Sequence, residues 1–178
     1  GLRDLGAARD DGELMAEVLG AAGGFGDVKA LYDADVTKTA IERDLADLAL
    51  KFKKKCVVGR LYLMFAGHGV VDEDDPNKSA YFCTHETKTD DLLGTAFALE
   101  DVKKYMTKIG IKHQVYHLDC CHAGGMLAAS LKGAEEKEWA WAQARKPAVV
   151  GMTAVTKDEV ALELDGNGMF TKYLCEAL

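Results

Sequence analysis

Apolar positions recur along the chain with two periods, and the switches between them mark the elements. In Arg9–Leu19, Leu14, Met15, Val18 and Leu19 form one stripe, as in an amphipathic helix. Gly20, Gly23, Gly24 and Gly26 end it, and Val28–Tyr32 reads as a short strand. Thr37 has the character of an N-cap for a helix running to about Lys53, with Ile41, Leu45, Leu48 and Phe52 at helical spacing. Arg60–Ala66 is almost uninterruptedly apolar, which suits a strand buried on both faces. Ala80–Thr84 predicts a further strand, Leu99–Ile109 a helix stopped by Gly110, and His113–Asp119 another buried strand. Cys120–Gly125 and a helical segment follow, then a strand over Ala148–Thr153, and Gly168 precedes a last helix, Phe170–Ala177.

Strands alternating with helices predict an α/β fold, a mostly parallel sheet sandwiched between helices. In such sheets the ligand site lies beyond the carboxyl ends of the strands. Two of these ends carry reactive side chains: Gly67-His68-Gly69 and Asp119-Cys120-Cys121-His122. A cysteine nucleophile needs an imidazole or a positive environment to make its thiolate. Glycines beside the histidine allow close backbone approach and leave amide N–H groups for an oxyanion. Each motif alone is weak, since a buried cysteine is usually a small hydrophobe and Gly-His-Gly usually a turn. Their pairing at two strand ends is far more specific.

Composition narrows the field. With 178 residues, 48% of them hydrophobic, the chain is one domain's length and can bury a real core. No apolar run approaches the ~20 residues of a membrane span, and no signal peptide is visible in Gly1–Leu5. Lys and Arg number 22 against 29 Asp and Glu, a net charge of −7, which argues against nucleic acid as a partner. Five cysteines without a signal peptide read as reduced and cytoplasmic. Cys120-Cys121-His122 has the residue types of a metal or redox site, but successive strand residues point to opposite faces, so that reading is the weakest.

Leu61–Gly69 and Leu118–Gly125 resemble the histidine and cysteine motifs of the caspase-like cysteine peptidases, and among these the metacaspase and prokaryotic branch, with its Asp-x-Cys-His-(Ser/Ala)-Gly nucleophile motif. Leu5-Gly-Ala-Ala-Arg-Asp10 is similar to the family's early Gly-Ala/Cys-x-Asn-Asp segment, and Val149–Glu159 with Gly166–Thr171 to its small-subunit region. The resemblance implies a single caspase-like peptidase domain over 1–178. Residues 1–125 would be its large-subunit part, 126–147 a processing loop and 148–178 its small-subunit part. It also implies that the family's first strand is missing and that the chain is a fragment of a longer protein.

The activity so implied is a cysteine endopeptidase that cleaves after Arg or Lys, in a regulated stress, defence or cell-death pathway. Cys121 is then the nucleophile, His68 its general base, and the N–H groups of Gly69 and Cys121 the oxyanion hole. Asp119 and Asp10 are the acids of the substrate pocket. The partner is a protein or peptide with a basic residue before the scissile bond, and a regulatory domain or partner outside this segment is compatible with the family. The alternative is a non-catalytic caspase-like scaffold or assembly module. Self-cleavage is expected in 126–147, after Lys132, Lys137, Arg145 or Lys146.

No resident cofactor or metal is expected, and calcium activation is not favoured. Ala66 replaces the serine many metacaspases carry there, and Leu99 stands where the family's calcium site has an acid. A hard cation needs several converging oxygens, which leucine does not provide. Peptidase activity is therefore expected to persist in excess chelator; complete loss, restored only by calcium, would contradict this.

Overall fold

The computed structural model describes residues 5–21, 24–53, 59–111, 113–120, 148–155, 162–164 and 166–178. The elements in chain order begin with helices α1 (Ala7–Ala21) and α2 (Lys38–Lys53) and strands β1 (Arg60–Gly67), β2 (Gly69–Val71) and β3 (Ala80–Phe82). A one-turn helix α3 (Leu92–Thr95), strand β4 (Phe97–Ala98), helix α4 (Leu99–Ile109) and strand β5 (His113–Cys120) come next. Strands β6 (Ala148–Thr153), β7 (Glu163–Leu164) and β8 (Asn167–Gly168) lead into the last helix, α5 (Met169–Ala177).

The fold is α/β. Its central sheet has the order β1-β5-β6, with both pairings parallel. Leu61 pairs with Gln114, Leu63 with Tyr116, Phe65 with Leu118 and Gly67 with Cys120. Because side chains alternate along a strand, this register sorts them onto two faces. Leu61, Leu63, Phe65, Tyr116, Leu118 and Cys120 join one apolar cluster with Ile41, Leu45 and Leu48 of α2 and Val102, Met106 and Ile109 of α4. On the other face stand Tyr62, Met64 and Ala66, opposite Val115, His117 and Asp119. Helix α1 packs against β1, β8 and α5.

Local signals account for the helix ends. The Thr37 hydroxyl accepts from the Ala40 N–H at 3.1 Å, the N-cap expected for α2. Gly110 closes α4 with φ +71°, the left-handed conformation glycine adopts without cost. The apolar stripe of α4 (Leu99, Val102, Met106, Ile109) is wholly buried.

Two parts differ from the expected pattern. Among the described residues Val28–Tyr32 pairs with no strand; Val28 is exposed, and Asp27 and Lys29 are tied to α2 through ion pairs with Lys51 and Asp44. Local β-propensity makes a strand only where a partner edge is available. The Ala80–Thr84 strand is shorter, Ala80–Phe82, and belongs to a small antiparallel sheet, β2-β3-β4. That sheet is joined to the core by Phe82, whose ring lies 4.5 Å from that of Phe65.

The apolar face bears the fold's stability. Leu118 is fully buried, so Leu118→Ala should cost about 2–5 kcal/mol in urea unfolding. Leu93→Ala, at a side chain 75% exposed, should change it by less than about 0.5 kcal/mol. Equal effects of the two would contradict the assignment of the core.

Candidate functional site

Strands β1 and β5 end side by side, Gly67 against Cys120. Gly67 has φ +155°, and a Cβ there would meet the Phe65 ring at 3.0 Å, so this strand end requires glycine. His68 follows, half-buried, its carbonyl accepting from the Cys83 N–H at 2.9 Å. Gly69 opens β2, opposite Phe82. Cys121 is one peptide bond beyond Cys120 in the sequence and lies outside the described residues, as do 126–147 with Lys132, Lys137, Arg145 and Lys146.

The described cysteines are poor nucleophiles. Cys120 is 1% exposed within the apolar cluster beneath α4, where a thiol behaves as a small hydrophobe. Burial pushes the Cys83 thiol up to about 11, and burial also raises that of Cys175. Among the described residues no group of three or more His, Cys, Asp or Glu side chains is arranged to hold a metal ion.

On the opposite face of β5, Asp119 is buried, and its carboxylate accepts a 2.6 Å hydrogen bond from the Thr171 hydroxyl of α5. Its neighbour across the site is Asp11. Asp11 is 3% exposed, and its two oxygens accept from the Gly168 N–H at 2.9 and 3.0 Å, with the Asn167 amide donating at 3.2 Å. Asp10, the acid expected from the sequence, is exposed on α1. The reason is helical geometry. Ala7, Asp11, Met15 and Leu19 recur every four residues on the buried stripe of α1, and Asp10 lies about 100° off it. That spacing was a signal available in the sequence.

Gly168 holds the two acids together. A Cβ there would stand 2.7 Å from Asp11 Oδ2 and 2.7 Å from Asp119 Oδ2, so the two oxygens are no further apart than twice that distance. The N-terminus of α5 contributes its Gly168 N–H and a favourable dipole to this acidic pair. Among the described residues no basic side chain forms an ion pair with Asp119.

His117, two residues before Asp119 on the same face, is fully buried. Its Nδ1 lies 3.0 Å from the Tyr62 hydroxyl and its Nε2 3.3 Å from the Thr171 hydroxyl; the Phe170 ring packs edge-on at 5.0 Å. Burial pushes its pKa down to about 4, against the opposing pull of the Asp119 charge. The period-two relation of this histidine to Asp119 along β5 is the hint the sequence offers. Thr171 and Gly168, from the far end of the chain, carry no local signal of this role.

No family model matches the chain, and no curated protein matches it. Among solved structures, the crystal structure of protein GSU0716 from Geobacter sulfurreducens is similar, with a TM-score of 0.66 at 17% identity, covering 98% of this chain and 73% of that one. At this identity the likeness shows the fold alone.

The buried imidazole makes stability depend on pH. In the unfolded chain His117 binds a proton near its ordinary 6.5, whereas the folded value is about 4. Between these values the unfolded chain holds the extra proton. Its contribution to stability is therefore complete above the upper value and is lost progressively as pH falls to the lower one, by on the order of 3 kcal/mol. Urea unfolding of wild type and His117→Gln across this range should show the wild type losing more stability by about that amount. Parallel curves would contradict it.

Proposed function

We propose that this chain is a cysteine endopeptidase of the caspase-like, metacaspase type that cleaves after Arg or Lys. The observation that carries the reading is the β1–β5 register: the residues preceding His68 and Cys121 are paired neighbours at one sheet edge, and two buried acids stand just behind them.

In this reading the Cys121 thiol gives its proton to His68, and the thiolate sulfur attacks the scissile carbonyl carbon. The N–H groups of Gly69 and Cys121 stabilise the oxyanion. His68 returns the proton to the leaving amine as the C–N bond breaks, leaving a thioester. Water, deprotonated by His68, then attacks the thioester; the acid product leaves and the thiol is restored.

Asp119 supplies the specificity. A buried carboxylate with no ion pair among the described residues is costly, and a substrate guanidinium or ammonium would offset that cost. Arginine suits it best because its planar fork bonds a carboxylate at two points. Asp11 takes the second acidic position that the sequence resemblance had given to Asp10. An aspartate side chain in the substrate would be repelled, which separates this specificity from that of the animal caspases.

Cys121→Ala and His68→Ala should each abolish peptide cleavage while leaving the unfolding midpoint near wild type, and Cys120→Ala should keep most activity. Asp119→Ala should lower cleavage after Arg about a hundredfold or more while Cys121 still reacts with iodoacetamide. Cleavage after Asp, indifference to Asp119→Ala, or activity in Cys121→Ala would overturn the reading. A folded wild type without any cleavage would favour the scaffold alternative.

A further inference from the structure

We propose that Tyr62, His117 and Thr171 form a directed hydrogen-bond chain that positions the Asp119 carboxylate to receive a cationic side chain. The inference deepens the specificity reading above and rests on it for the identity of the ligand. The chain joins three elements: β1 through Tyr62, β5 through His117 and Asp119, and α5 through Thr171.

The direction follows from counting protons. Thr171 has one hydroxyl proton, and it goes to Asp119 Oδ2 at 2.6 Å. Toward His117 Nε2, 3.3 Å away, the same oxygen is therefore an acceptor, so Nε2 carries the proton of the neutral ring. Nδ1 is then an acceptor, and the Tyr62 hydroxyl, 3.0 Å from it, donates. Every O–H and N–H in the series points toward Asp119, and each bond polarises the next in a site shielded from water.

The geometry leaves Asp119 little freedom. His117 and Thr171 are fully buried, and the Phe170 and Tyr62 rings both meet the imidazole edge-on, at 5.0 and 6.1 Å. Thr171 occupies one side of the carboxylate, and Gly168 admits it close to Asp11 only because it has no side chain. A carboxylate held in one orientation loses less freedom when a guanidinium binds, which is the advantage of preorganisation. Tyr62, His117 and Thr171 are positioning residues: none of them is required to touch the ligand.

Two measurements on the full chain test this. Side-chain ¹⁵N–¹H correlation spectra at pH 7 should show His117 neutral with its proton on Nε2. A proton on Nδ1, or a doubly protonated ring, would overturn the direction. Binding of benzamidine, an amidinium probe, and KM for an arginyl peptide should then weaken in the order of distance from the carboxylate. Thr171→Val should have the largest effect, about tenfold or more, His117→Phe less, and Tyr62→Phe least. The kcat should change little, and Thr171→Ser, which keeps the hydroxyl, should restore near-wild-type affinity. If wild type binds benzamidine through Asp119, Thr171→Val weakens that binding about tenfold or more and no peptide is cleaved, the peptidase reading fails and the positioning chain stands. If it cleaves after Arg while Thr171→Val leaves KM and benzamidine affinity within twofold of wild type, the positioning chain fails and the peptidase reading stands. A folded wild type with neither binding nor cleavage overturns both.

Discussion

The parallel ladder between β1 and β5 is the constraint on which the rest depends. It places Leu61, Leu63 and Phe65 level with Gln114, Tyr116 and Leu118 on one face, and Tyr62, Met64 and Ala66 level with Val115, His117 and Asp119 on the other. A slip of β5 by one residue would turn His117 and Asp119 into the apolar cluster under α4 and expose Leu118 and Cys120 to the polar side. The apolar burial that stabilises the fold therefore also fixes which residues face the site. The same ladder brings Gly67 and Cys120, the last paired residues, to one edge, immediately before His68 and Cys121 in the chain.

The two faces do different work. Beneath α2 and α4 the packing is hydrophobic, down to a cysteine used as a small apolar residue. Toward α1 and α5 the face carries buried carboxylates, a neutral imidazole and a hydroxyl, joined by hydrogen bonds from three strands and helices. Burying such groups is tolerable only because nearly every polar atom finds a partner. Asp11 is met by the N-terminus of α5, and Asp119 by Thr171. Among the described residues only hydrogen bonds and the helix dipole balance the charge on the side of Asp119, which is the physical basis for expecting a cationic ligand.

Much of this was legible in the sequence where the signal was local. The Thr37 cap and the Gly110 stop carry their own chemistry and have their counterparts in the structure, and the apolar run Arg60–Ala66 forms β1, as a strand of mostly half-buried residues rather than one buried on both faces. The burial of Cys120 on the apolar face follows the alternation of side chains along β5. What was not legible depended on long-range partners. Val28–Tyr32 has strand-like residues but no pairing edge among the described residues, and the short antiparallel sheet arises from turns whose register only packing decides. On α1 the buried stripe Ala7–Asp11–Met15 sets which acid turns inward, Asp11, while Asp10 beside it is exposed. Thr171 and Gly168 reach Asp119 from the far end of the chain, beyond the reach of any local pattern.

The central claim is that a cysteine one residue beyond β5 reacts with substrates selected by the acids behind it. Its most direct test is affinity labelling with a peptidyl arginyl chloromethyl ketone, with the adduct located by peptide mass spectrometry. The account predicts a single adduct on Cys121, none on Cys120, and much slower labelling by the matching aspartyl reagent. Adducts spread over Cys83, Cys120 and Cys175, or equal labelling by the two reagents, would contradict it.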